Sequence, residues 1–149
     1  MDSMEYLQAP GGIRIAADRW YHRHHYWILS DTAGTGHYKL GLTAYVCRPG
    51  IEVYFVEQLP QPGTIIVEGG LLGVVETEKA VVSIYSPVLC RVEAVNRTVL
   101  EDPNCLSFDN YRVWLIEFST TELPPLLSAI EYCQYLQELP PPQCIWSRA

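Results

Sequence analysis

The chain has 149 residues, a mass of 16.9 kDa and 48% hydrophobic residues, enough for a packed core, which excludes wholesale disorder. A formal net charge of −7 and a pI near 5.0 exclude a nucleic-acid backbone as the main partner, because that task needs a basic face. Of the 10 basic residues only two, Lys39 and Lys79, are lysines.

Residues 1–12 read as a loose leader that ends in Ala9-Pro10-Gly11-Gly12. Met1-Asp2-Ser3-Met4-Glu5 offers no basic segment followed by an apolar one, so no signal peptide is expected. No apolar run approaches the ~18 residues that a membrane span needs. A cytoplasmic protein with free thiols is therefore expected, and Cys47, Cys90, Cys105, Cys133 and Cys144 form no C-x-x-C pair. Residues 13–118 read as mostly strand, with turn residues every six to twelve positions. The clearest runs are 26–29, 37–42, 53–56, 64–67, 73–75, 81–85, 91–95 and 113–118. Many short strands at this spacing favour a sandwich or a barrel. Ser119-Thr120-Thr121-Glu122 offers caps for a helix, with Pro124-Pro125 in its first turn and an apolar stripe running to Leu136. Pro140-Pro141-Pro142 opens a Pro-rich tail, so the expected division is 1–12, 13–136 and 137–149.

The segment from Gly69 to Asn96 carries the chemistry. Gly69-Gly70-Leu71-Leu72-Gly73 is no phosphate cradle, because no Lys-Ser/Thr follows and no helix starts there. Two β-rich runs, Leu71–Val75 and Ala80–Tyr85, flank Glu76-Thr77-Glu78-Lys79, which predicts a hairpin with a polar tip. A lysine at such a tip points its amine into solvent on a stiff stem. An enzyme that acylates one lysine and ignores the rest needs that arrangement.

An ordered set of segments resembles the glycine cleavage H-protein family of lipoyl carriers. His25-Tyr26-Trp27 resembles the family's H-E-W, and Leu40-Gly41-Leu42-Thr43-Ala44-Tyr45 its V-G-I-T-x-Y/A. Val53 to Glu57 with Leu59-Pro60 and Gly63 resembles V-Y-V-E-L-P-x-x-G with one residue added. Glu76-Thr77-Glu78-Lys79-Ala80 resembles E-S-V-K-A, and Ile84-Tyr85-Ser86-Pro87-Val88 resembles I-Y-S-P-V. Val95-Asn96, Leu100, Pro103, Tyr111 and Trp114-Leu115-Ile116 follow the closing segment, so the match covers about residues 20–136.

The resemblance implies a mostly β fold, a flattened barrel-sandwich hybrid with the modified lysine on a hairpin tip and a C-terminal helix. It implies lipoate in amide linkage on Lys79, with Glu76, Thr77, Glu78 and Ala80 serving recognition by the lipoate-attaching enzyme or a partner. A tethered group carrier leaves catalysis to its partners, so the chain is not itself read as an enzyme. Biotin is disfavoured, because Glu78 and Ala80 stand where a biotin carrier has Met. The E-T-E-K-A segment is also similar to lipoyl domains of dihydrolipoyl acyltransferases, but those lack the Tyr26-Trp27 segment and the C-terminal helix.

Several positions depart from the family: Thr77, Glu78, Leu89-Cys90, Leu106-Ser107-Phe108, Val113, Cys47-Arg48-Pro49 and Ile51. Such divergence with many thiols favours the family's lipoate-binding branch, which serves heterodisulfide-reductase-like sulfur oxidation and presents a sulfur intermediate to that complex. The second reading is an H protein carrying the aminomethyl group between glycine decarboxylase, aminomethyltransferase and dihydrolipoyl dehydrogenase. A third, of another class, is a binding or scaffold module that never receives lipoate. His25, Cys47 and Cys90 are candidate contacts of the arm or its sulfur chemistry. His22, His24 and His25 lack a fourth ligand at metal spacing, so no metal is expected.

Overall fold

The computed structural model describes residues 4–139 except Thr32; Cys144, Trp146 and nearly all of the expected tail lie outside the described residues. The chain opens with β1 (Tyr6–Ala9) and β2 (Ile13–Ala16), an antiparallel hairpin. Residues 6–9, expected as loose leader, are therefore paired strand, and residues 10–12 the turn that follows it. The turn Pro10–Gly12 is made by Gly11 and Gly12 at φ 81° and 75°, and Ile13 and Ile15 beyond it are buried.

Then come β3 (Trp20–His22), β4 (Tyr26–Ser30), β5 (His37–Leu42), β6 (Val53–Glu57), β7 (Ile65–Ile66), β8 (Leu71–Thr77), β9 (Val81–Tyr85) and β10 (Cys90–Val95). Two five-residue helices follow, α1 (Arg97–Glu101) and α2 (Cys105–Asp109), then β11 (Ile116–Ser119) and α3 (Ala129–Gln137). A six-stranded sheet has the order β3-β4-β5-β11-β10-β7, and a three-stranded sheet the order β6-β8-β9. Both sheets are open at their edges, which makes a flattened sandwich of barrel-like layers with one helix at the C-terminal end. The mostly β class expected from the sequence is what the chain adopts. No helix among the described residues is long and apolar enough to cross a membrane.

The two sheets share one core. Val56, Leu72, Val75 and Ile84 from the three-stranded sheet join Ile28, Leu40, Leu42, Val92, Ile116 and Phe118 from the six-stranded one. Strand β4 is buried on both faces: Tyr26 and Ile28 enter this core, while Trp27 points the other way. The Trp27 indole lies under the Arg19 guanidinium at 4.6 Å and donates to the Asn110 carbonyl at 3.0 Å. It also lies flat on Gly41, where a Cβ would collide with the ring. Gly41 is thus required by close approach.

The C-terminal helix begins later than the sequence suggested. Its N-cap is Ser128, whose Oγ accepts from the Glu131 amide at 3.1 Å while the Glu131 carboxylate accepts from the Ser128 amide at 2.8 Å. Ser119, expected as a cap, ends β11, and the Thr120 hydroxyl donates to the Leu89 carbonyl. Pro124 and Pro125 lie ahead of the helix, since each pushes its predecessor out of the helical region. Leu127, next to them, exchanges two 2.8 Å backbone bonds with Tyr21 and so extends the β3 edge.

Candidate functional site

Strand β8 pairs with β9 in the register Val75–Val82 and Glu76–Val81, with a turn at Thr77 to Ala80. The β-branched runs stiffen both arms. The turn is closed by Thr77 in two ways. Its amide donates to the Ala80 carbonyl at 2.8 Å, and its Oγ1 accepts from the Lys79 and Ala80 amides, both at 3.1 Å. Thr77 is buried, whereas Lys79 is exposed at the apex. The backbone at Lys79 is thus fixed from below while its side chain leaves into solvent.

Glu78 ties this tip to the chain between β5 and β6. Its amide donates to the Glu52 carbonyl at 2.9 Å, and its Oε1 accepts from the Glu52 amide at 2.8 Å. The neighbours of Glu52 are held in turn by α2 and its cap. The Asn104 side chain accepts from the Val53 amide at 2.9 Å, and the Ser107 hydroxyl donates to the Ile51 carbonyl. Ile51, Glu52 and Val53 are therefore clamped between the hairpin tip and α2. Sequence reasoning missed Glu52 and Asn104 and read Ser107 only as a departure from the family, because the bonds span 26, 51 and 56 positions.

Glu76 is half-buried and lies in register between Phe55 on β6 and Val81 on β9. Phe55 is 53% exposed and Val81 63%, so an apolar row broken by one carboxylate runs beside Lys79. Ala80, also named from the sequence, is half-buried where the turn enters β9.

The other sequence candidates fall elsewhere. His25 closes the three-residue loop between β3 and β4 at φ 72°, the position where glycine is favoured. Its ring stacks on Tyr45 at 4.0 Å, and its Nδ1 is 2.7 Å from the Tyr132 hydroxyl, which in turn lies 2.9 Å from Thr43 Oγ1. These partners belong to the segment after β5 and to α3, not to the Lys79 hairpin. Burial, helped by His24 and His22, pushes His25 down to about 4. Cys47 is wholly buried, and its thiol is pushed up to about 12. Cys90 is buried too, 3.6 Å from Ser86 Oγ, and burial raises its pKa. A buried, protonated thiol is a poor nucleophile. Cys90 opens β10 beyond the Tyr85 end of β9, while Lys79 sits beyond the Val81 end, so the length of β9 separates them. Neither thiol is presented at the tip, contrary to their selection as sulfur contacts. Among the described residues no three His, Cys, Asp or Glu side chains are placed to share a metal ion.

A family model described as Glycine cleavage H-protein matches residues 19–139. The glycine cleavage system H protein of Tropheryma whipplei (strain Twist) is 32% identical over 122 residues, covering 82% of this chain and 97% of that protein. That of Rubrobacter xylanophilus is 36% identical over 126 residues, covering 83% of this chain and 96% of that protein. The crystal structure of a glycine cleavage system H protein from Mycobacterium marinum matches with a TM-score of 0.67 at 30% identity, covering 79% of this chain and 95% of that one.

Proposed function

Because the chain belongs to the glycine cleavage H-protein family, we propose that it is a lipoyl carrier of glycine cleavage, with lipoate in amide linkage on Lys79. The observation that carries this reading is the solvent-exposed Lys79 at the apex of a hairpin whose backbone is held by Thr77 and Glu78. The residues fit the group: an amide needs a free primary amine on a stem clear of its own sheet. Lipoate on that amine supplies a dithiolane that opens to a dithiol, so that a group is held on sulfur and handed on.

The chain's own part is mechanical. Thr77 fixes the turn, Lys79 carries the stem, and the Phe55–Glu76–Val81 row offers partners a surface beside it. Tethering keeps the carried group at high local concentration for each partner in turn. Catalysis belongs to glycine decarboxylase, aminomethyltransferase and dihydrolipoyl dehydrogenase, and attachment to a lipoate-attaching enzyme.

This reading replaces the sulfur-oxidation branch favoured by divergence alone. The relatives matched here are glycine cleavage H proteins, and the divergent residues have structural work to do. Thr77 caps the turn, Glu78 clasps Glu52, Ser107 anchors Ile51, and Cys47 and Cys90 fill the core. Divergence that serves packing says nothing about a sulfur substrate.

Intact-mass measurement of protein made in a lipoylation-competent host with its attaching enzyme is expected to show one lipoyl group, absent from Lys79→Arg. An adduct on Lys39, or no adduct on the wild type, would overturn the assignment. The lipoylated protein is then expected to support glycine–bicarbonate exchange with glycine decarboxylase. Failure there, with activity toward sulfur substrates, would return the sulfur branch to first place.

A further inference from the structure

We infer that Glu78 is a positioning residue for acylation of Lys79, acting through its bond to Glu52 and not as a charge that the attaching enzyme reads. The inference rests on the reading that Lys79 takes a lipoyl group. Glu78 and Glu52 exchange two hydrogen bonds, of 2.9 and 2.8 Å, immediately next to Lys79. One uses only backbone. The other needs a side-chain oxygen at position 78, and an amide bonded to a carboxylate is among the stronger neutral-donor bonds. The far side of the clasp does not move freely, because Asn104 holds Val53 and Ser107 holds Ile51. Glu78 thus fastens the hairpin apex to a segment that is itself fastened to α2. Without its carboxylate the apex keeps only the backbone bond from the Glu78 amide to the Glu52 carbonyl, and the root of the Lys79 side chain gains freedom to swing.

Acylation joins Lys79 Nζ to the carbonyl carbon of an activated lipoyl donor of the mixed-anhydride class. That carbon's bond to its leaving group breaks with the electron pair, and the amine gives one proton to solvent. A side chain threaded into an enzyme pocket must present its amine at bonding distance and angle, so freedom at its root lowers the productive fraction.

The two roles of Glu78 separate by substitution. Glu78→Gln keeps the acceptor oxygen and removes the charge; Glu78→Ala removes both. The experiment measures the initial rate of lipoylation by intact mass, using purified lipoate ligase, free lipoate and ATP. Hydrogen exchange at the Glu52 amide is followed in parallel, with thermal midpoints to confirm that each variant is folded. Glu78→Gln is expected within about twofold of wild type, and Glu78→Ala about tenfold slower with faster Glu52 exchange. If Glu78→Gln is as slow as Glu78→Ala, the charge is what matters and the inference falls. A Glu78→Ala rate equal to wild type overturns it as well. A wild type that accepts no lipoyl group under these conditions overturns the lipoyl reading, and this role with it, whereas the first two failures leave that reading intact.

Discussion

The two lysines occupy opposite kinds of place. Lys39 lies in the middle of β5, flanked on one side by β4 and on the other by β11, with Glu117 directly across. Its ammonium sits 5.5 Å over the Trp114 ring, a contact that needs the charge. Lys79 stands at a turn with strand on one side only, and its backbone is held while its stem is not. Both are exposed, so exposure does not distinguish them. A lysine on a sheet face presents its amine across a broad flat surface that an enzyme pocket cannot enclose. A lysine at an apex projects with little protein around it. Position in the fold, and not scarcity, singles out Lys79.

The strongest way to break this comparison is to move the amine by one residue. In the double variant Lys79→Ala/Ala80→Lys, a lysine remains on the same hairpin but starts from a half-buried residue where β9 begins. Successive residues entering a strand point to opposite faces, so the stem leaves in a different direction. Lipoylation is expected to be lost by intact mass, while Lys39→Arg is expected to leave it unchanged. Full modification of the shifted lysine would show that any exposed hairpin amine suffices.

A smaller effect is expected at the closure of the turn. Thr77→Val keeps the shape of the side chain and removes the oxygen that accepts from Lys79 and Ala80. Losing part-buried hydrogen bonds of this kind costs about 0.5–1.5 kcal/mol each, read as a lower thermal midpoint or denaturation midpoint. The lipoylation rate is expected to fall about tenfold, because the root of the arm loosens. Thr77→Ser restores the acceptor and is expected to restore both measurements. A Thr77→Val protein with wild-type rate and stability would show that the hairpin arms alone define the apex.

Much of this site was legible before any coordinates. The Leu71–Val75 and Ala80–Tyr85 runs are β-branched on either side of a polar quartet, and the hairpin they form extends by only two residues, through Thr77. Strands β4 and β5 were legible for the same reason. Other features depended on partners distant in sequence. Tyr6–Ala9 carries little strand signal of its own and pairs because Gly11 and Gly12 turn the chain back onto it. The helices α1 and α2 are a little over one turn each, too short for a periodic stripe. Glu78 was legible as a charge beside the lysine but not as a clasp, since Glu52 lies in a loop 26 positions earlier. The start of α3 was misplaced for a different reason. Ser128-x-x-Glu131 is a complete capping box in the sequence, but the Ser/Thr cluster at 119–121 with two following prolines carries a similar helix-start signature earlier in the chain.

The β3–β4 loop of the six-stranded sheet has a pH sensitivity that sharpens the contrast with the hairpin. The six-stranded sheet carries His25 at the β3–β4 loop, packed against Tyr45 and bonded to Tyr132 of α3. Burial first, then the charges of His24 and His22, lowers it to about 4; His22 is lowered to about 4 by burial, His24 and Arg23. In the unfolded chain both titrate near 6.5, so between about 6.5 and 4 the unfolded state binds up to about two more protons than the native one. Stability is therefore full above about pH 6.5 and declines as pH falls toward 4. His25→Asn tolerates the left-handed backbone at this position and removes one of the two titrations. Denaturant midpoints measured from pH 7.5 to 4.5 are expected to fall less steeply in His25→Asn than in wild type. Hydrogen exchange at the lower pH is expected to rise, relative to the intrinsic rate, in the β3–β4 loop and α3 before it rises at Thr77 to Ala80. That order follows because the tip amides are held by Thr77 and Glu52, and none of their bonds passes through a histidine. Equal slopes in the two proteins would remove His25 from the account. Exchange that rises first at the tip would mean that the hairpin, and not the sheet around His25, is the part that acid loosens.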